Sequence, residues 1–150
     1  MLITAMRKAA LKTTCSKQQG SVVLEALISM LLFSIGILAI IGLQAVSIKN
    51  TAAAKYRTDA SLLVNQVVGQ MWVSDKTNAT LVANFSSPAG AGYTAWASTV
   101  AQALPGVSGV AANAPIIAID ASNNATITVF WQAPDEAAAH NYTAIAVVNN

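Results

Sequence analysis

The chain has 150 residues, 55% of them hydrophobic and only 9% charged. An ordinary soluble domain carries about 25% charged residues, so the balance points to one membrane helix and one small domain rather than a wholly soluble protein. The net charge of +2 hides an asymmetry that argues against nucleic acid as a partner: Arg7, Lys8, Lys12 and Lys17 stand in a segment without acids, whereas the only charges past Lys76 are Asp120, Asp135 and Glu136.

Residues 1–20 read as a basic leader. It holds the only cysteine, Cys15. Lipidation at Cys15 would need an apolar residue and small neighbours before it, which Lys12-Thr13-Thr14 does not supply. The plain reading is an inert leader cysteine. Without the leader the chain has no cysteine, so packing alone must hold its small domain.

Residues 21–48 form the membrane segment. Val22 to Ile48 is a run with a single charge, Glu25, and about 20 apolar residues suffice to cross a bilayer. A secretory signal peptide has an apolar region of only about 7–15 residues and no acid in it. The basic leader places the N-terminus in the cytoplasm and the C-terminal domain outside; Lys49, Lys55 and Arg57 weaken that bias without reversing it. An acid in mid-bilayer costs up to about 3 kcal/mol, less near an end. Read from the residues alone, Glu25 is either a carboxylate close enough to the interface to stay hydrated or one held by a positive partner within the chain or on a neighbour. Gly36 and Gly42 each cost a helix roughly 1 kcal/mol relative to alanine. They either let a neighbouring helix approach closely or mark where the helix can unwind.

Residues 49–76 continue the helix as an amphipathic half. Tyr56, Ala60, Leu63, Val67 and Met71 recur at spacings of three and four, with Arg57, Asp59, Gln66 and Gln70 largely elsewhere. Ser74-Asp75-Lys76-Thr77-Asn78 supplies polar stop chemistry. A helix from about Ser21 to Ser74 would be roughly 80 Å long.

Residues 77–150 form the small C-terminal domain. Residues 77–94, with Asn78, Asn84, Pro88, Gly90 and Gly92, read as a connecting loop. Trp96, Val100 and Leu104 predict a short helix ended by Pro105-Gly106. Strands follow at Ile116–Asp120, Ala125–Gln132 and Tyr142–Val148, separated by a Ser122-Asn123-Asn124 turn and a polar loop over 133–140. Ile127, Val129 and Trp131 share one strand face. Three antiparallel strands against an amphipathic helix give an α+β class.

Catalytic chemistry is sparse. His140 is the only histidine, and Asp135, Glu136 and His140 lie in an Ala-rich stretch with no second cluster to complete a metal or nucleophile site. Trp72, Trp96 and Trp131 could make a sugar platform, but each sits at a core-like position. Four Asn-x-Ser/Thr sequences begin at Asn78, Asn84, Asn124 and Asn141, a pattern that arises readily in a chain rich in Asn and Thr.

The junction Lys17-Gln18-Gln19-Gly20-Ser21-Val22-Val23-Leu24-Glu25 resembles the processing site of type IV prepilins. The chain is similar to the type IV pilin and pseudopilin superfamily, and most of all to PilV-type minor pilins. That family usually has glycine, an aromatic residue or methionine, then Thr-Leu-Ile-Glu; here Ser21, Val22, Val23 and Leu24 stand between Gly20 and Glu25. Ser34-Ile35-Gly36-Ile37-Leu38 and Gly42-Leu43-Gln44 resemble the same type of helix, and Leu104-Pro105-Gly106 before Thr128-Val129-Phe130-Trp131 is a looser likeness.

The resemblance implies cleavage after Gly20 by a prepilin peptidase, a new and methylated N-terminus at Ser21, and registry of neighbouring subunits through Glu25. It implies a lollipop architecture, the long helix packed on a small sheet, and no enzymatic activity, metal or cofactor. The implied partners are the peptidase, other minor and major pilins and the inner-membrane assembly platform. The implied location is the bacterial inner membrane, with the C-terminal domain periplasmic or carried into the pilus. A minor pilin in a priming or tip complex, supporting adhesion and motility indirectly, is the first functional expectation. A minor pseudopilin of type II secretion has the same architecture. A single-pass membrane-anchored binding module, uncut and outside any filament, is the alternative of another class. A major pilin fits less well, because the mature chain lacks the C-terminal cysteine pair of many such subunits.

Overall fold

The computed structural model describes residues 19–134 and 136–149. The leader positions Arg7, Lys8, Lys12, Cys15 and Lys17, and Asp135 in the late loop, lie outside the described residues. Helix α1 runs Gln19–Val73, followed by α2 (Asn78–Phe85), α3 (Ala91–Ala103), a 3-10 turn (Ala111–Asn113), and strands β1 (Ile116–Ile119), β2 (Asn124–Trp131) and β3 (His140–Val147). The chain divides into two units after Val46.

In the first unit α1 buries nothing. Every side chain from Gly20 to Thr51 is exposed, although the stretch is apolar enough to cross a membrane. Its near-continuous apolarity leaves no polar face along the helix. No Cβ built on Gly36 or Gly42 meets another atom within 4 Å. Any neighbour that needs those glycines must therefore come from beyond this stretch of chain.

In the second unit the pattern of α1 changes from continuous to periodic, and its burial changes with it. Ala60, Leu63, Val64, Val67 and Met71 are buried in one cluster with Ile117, Ile127, Val129 and Trp131 of the sheet. Tyr56 packs at its margin. The helix ends where polar residues begin: the Ser74 hydroxyl donates to the Met71 carbonyl at 2.8 Å, capping a free C-terminal acceptor.

The sheet has three strands in the order β1-β2-β3, both pairs antiparallel. Alternation along β2 is strict: Ala125, Ile127, Val129 and Trp131 face the core and their neighbours face outward. Register follows from that face, with Ile117 opposite Ile127 and Ala144 on the other side of Ile127. Pro105-Gly106 docks on the end of β2, where Gln132 N–H donates to the Pro105 carbonyl at 2.9 Å. Gly106 has φ 71° and a Cβ there would sit 2.8 Å from Gln132 atoms, so only glycine fits both the turn and the contact.

Three sequence expectations are corrected. Residues 77–94 are not a loop: α2 fills Asn78–Phe85 and α3 already begins at Ala91. Leu81 and Phe85, four apart, are buried and hold α2 to the core; burial of that pair outweighs the turn-forming asparagines around it. The loop 133–140 ends one residue early, because His140 pairs with Trp131 and opens β3. Trp72 is not a core residue. It is 46% exposed, and Lys76 Nζ lies 5.0 Å from its ring centroid, an arrangement that suits a wet indole face.

Candidate functional site

Gly20, Ser21 and Glu25 occupy the first two turns of α1, all exposed. Ser21 and Glu25 are four residues apart on one helix face, about 6 Å along the axis. An amine freed at Ser21 would thus stand within reach of the Glu25 carboxylate of its own chain or of a neighbour. In low dielectric that attraction far exceeds its value in water. The structure puts the three residues together through local helix geometry alone. No other side chain of the described residues converges on them.

The second polar centre of the molecule lies in the C-terminal unit. The sequence alone does not mark these residues as a cluster. Asn78 Nδ2, at the start of α2, donates to the Asp120 carbonyl at 2.7 Å and to Asn123 Oδ1 at 2.8 Å. Asn123 Nδ2 in turn donates to the Lys76 carbonyl at 3.0 Å. The clasp joins the α1–α2 connection to the β1–β2 turn. Asn123 adopts φ 59°, a left-handed conformation that asparagine tolerates better than most residues. The Asp120 carboxylate accepts from Asn124 Nδ2 at 2.7 Å and from the backbone N–H groups of Ser122 and Asn124. These bonds, the Asn124 side chain foremost, hold its carboxyl below the usual carboxylate range. Asp75 is lowered likewise, chiefly by the Thr77 backbone N–H. The signal for the clasp was the Asn and Asp density at both turns; what pairs with what depends on tertiary placement.

Two buried polar bonds fix α3. Trp96 Nε1 donates to the Leu63 carbonyl of α1 at 2.8 Å, and the Tyr93 hydroxyl donates to the Pro115 carbonyl at 2.7 Å. Burial pushes the Tyr93 phenol up. Trp131 is buried in the core and its ring stacks on His140 at 5.8 Å, so neither Trp96 nor Trp131 offers a face to a sugar. His140 Nε2 lies 2.8 Å from Glu136 Oε2 in an exposed pair. Among the described residues no group of three or more His, Cys, Asp or Glu is placed to hold a metal ion. Of the four Asn-x-Ser/Thr asparagines, Asn78 and Asn124 use their amides in the hydrogen bonds above, while Asn141 is exposed on β3.

No family model matches the chain, and no curated protein or solved structure is significantly similar to it.

Proposed function

We propose that this chain is a subunit of the type IV pilin kind, a minor pilin that is trimmed after Gly20 and takes part in pilus assembly. One observation carries the reading. Gly20, Ser21 and Glu25 head an apolar helix that is exposed along its whole length from Gly20 to Thr51, and its far end enters a small α+β unit. Such a surface needs lipid before assembly and other helices after it. The basic leader orients the helix with Gly20 on the cytoplasmic side, where a prepilin peptidase would act. Glu25 then supplies the charge that a neighbour's new amine would meet in the filament core, and an intramembrane acid is a functional feature by default.

The test separates trimming from assembly. Glu25→Ala should be cut and held in the membrane as the native chain is, yet be missing from filaments sheared off the cells. Normal incorporation of Glu25→Ala would remove the registry role. Recovery of the native chain with secretion components, and never with pilus subunits, would move the same architecture to a type II secretion pseudopilus.

A further inference from the structure

The charges just past the apolar stretch of α1 have no part in the reading above. From Ala26 to Thr58 the sequence holds no acid, and its only charges are Lys49, Lys55 and Arg57. They stand on the first turns after Ile48, where the apolar stretch ends. All three residues are exposed. Successive residues turn about 100° around a helix, so Lys49, Lys55 and Arg57 lie on three different sides of α1. They make a collar rather than a stripe.

Beyond the collar the balance of charge reverses. Past Arg57, five acids (Asp59, Asp75, Asp120, Asp135 and Glu136) stand against one base, Lys76, which lies against the Trp72 ring. Asp59, one turn past Lys55, is half-buried. Among the described residues no ion pair or hydrogen bond engages the Lys55 or Arg57 side chain. These two cations are therefore open to an anion from outside the chain.

We infer that this collar binds the anionic phosphate headgroups of the leaflet from which α1 emerges on its C-terminal side. The inference rests on the apolar stretch spanning a bilayer, and not on cleavage after Gly20 or on a filament. With Ile48 at the edge of the hydrocarbon, Lys55 lies about 10 Å and Arg57 about 13 Å farther along the axis. The headgroup layer is about 5–8 Å deep on each side, and Lys49 enters it directly. Helical Cα–Cβ bonds tilt toward the N-terminus, so the long stems of Lys55 and Arg57 lead back toward that layer. The pull of an anionic surface extends over a Debye length, about 8 Å at physiological salt, which brings both charges within its range. A collar suits a leaflet, which surrounds the helix, better than an acidic protein, which would meet one side of it. Headgroup binding also gives a role to cations that oppose the orientation set by the basic leader.

The test uses the full chain in phosphatidylcholine vesicles, with Cys15→Ser and a fluorophore on Ala53→Cys, an exposed position inside the collar. Traces of nitroxide-labelled lipid quench the fluorophore only at close range, so lipids gathered by the leader before the apolar stretch go unread. Labelled phosphatidylglycerol should quench at least about twofold more than labelled phosphatidylcholine at low salt, and the excess should fade at high salt. Lys55→Gln with Arg57→Gln should remove most of the excess, whereas Lys55→Arg with Arg57→Lys should keep it. Resistance to carbonate extraction reads insertion separately. Equal quenching by the two lipids in a resistant chain, or an excess unchanged by the glutamine pair, would overturn the collar's role alone. A chain stripped from the vesicles by carbonate would overturn the membrane reading and the collar's role with it.

Discussion

The two halves of α1 have opposite fates. From Gly20 to Thr51 no side chain is covered, while from Ala60 to Met71 one face is buried. The difference lies in spacing as well as in hydrophobicity: the first half is nearly continuous in apolar residues, and the second interleaves them with Lys55, Arg57, Asp59, Asn65, Gln66 and Gln70. Apolar residues on every side leave the helix without a preferred inner face, as an apolar solvent would suit. Apolar residues every third and fourth position define one stripe, which a sheet can cover. The periodic half thus has its own packing to hold it, whatever surrounds the other.

The largest effect should come from the part that packs. Trp96→Ala removes a fully buried ring and the donor to the Leu63 carbonyl, and should cost about 3–5 kcal/mol. Thermal unfolding of the C-terminal unit reads the loss, while membrane fractionation should find the chain still inserted. Leu38→Ala, on the uncovered half, should leave that unfolding within about 0.5 kcal/mol of native. If Leu38→Ala were to destabilise the C-terminal unit as Trp96→Ala does, the contrast between the halves would be broken.

A smaller effect concerns the clasp at the turn. Asn123→Ala loses the amide bonds to Asn78 and Lys76 and puts alanine at φ 59°, together about 1–3 kcal/mol. Asn123→Gly relieves only the backbone cost and should recover about 1 kcal/mol. Chemical denaturation of the two variants separates the two contributions.

The smallest effect is one of pH. Asp75 and Asp120 have folded carboxyls lowered below 3.8, the ordinary value. A depressed carboxyl contributes stability that is complete above the unfolded value and lost as pH falls through the folded one. The melting temperature of the C-terminal unit should be insensitive to these two groups down to about pH 4 and fall below it. Asp120→Asn should flatten part of that fall, and an unchanged acid limb would exclude the turn as its source.

Much of this was legible in the sequence because period and turn chemistry are local. The covered stripe of α1, the alternation of Ile127, Val129 and Trp131, the stop at Ser74 and the Pro105-Gly106 break could all be read from spacing. α2 could not, because two apolar anchors four residues apart amid asparagines carry little periodic signal, and only the core shows that Leu81 and Phe85 are needed together. Trp72 was misplaced because its helical phase lies at the border of the stripe. The clasp joins residues more than forty positions apart, which no local pattern encodes. At the junction, Gly20 and Glu25 were visible as residues, and their shared helix start follows from i to i+4 geometry.

The most direct test of the filament reading is the intact mass and N-terminal sequence of the chain from cells with and without the prepilin peptidase. The account predicts loss of residues 1–20 only when the peptidase is present, with Ser21 as the first residue and one added methyl group. A chain that keeps the Gly20–Ser21 bond intact in both strains would contradict it and leave a single-pass anchored module.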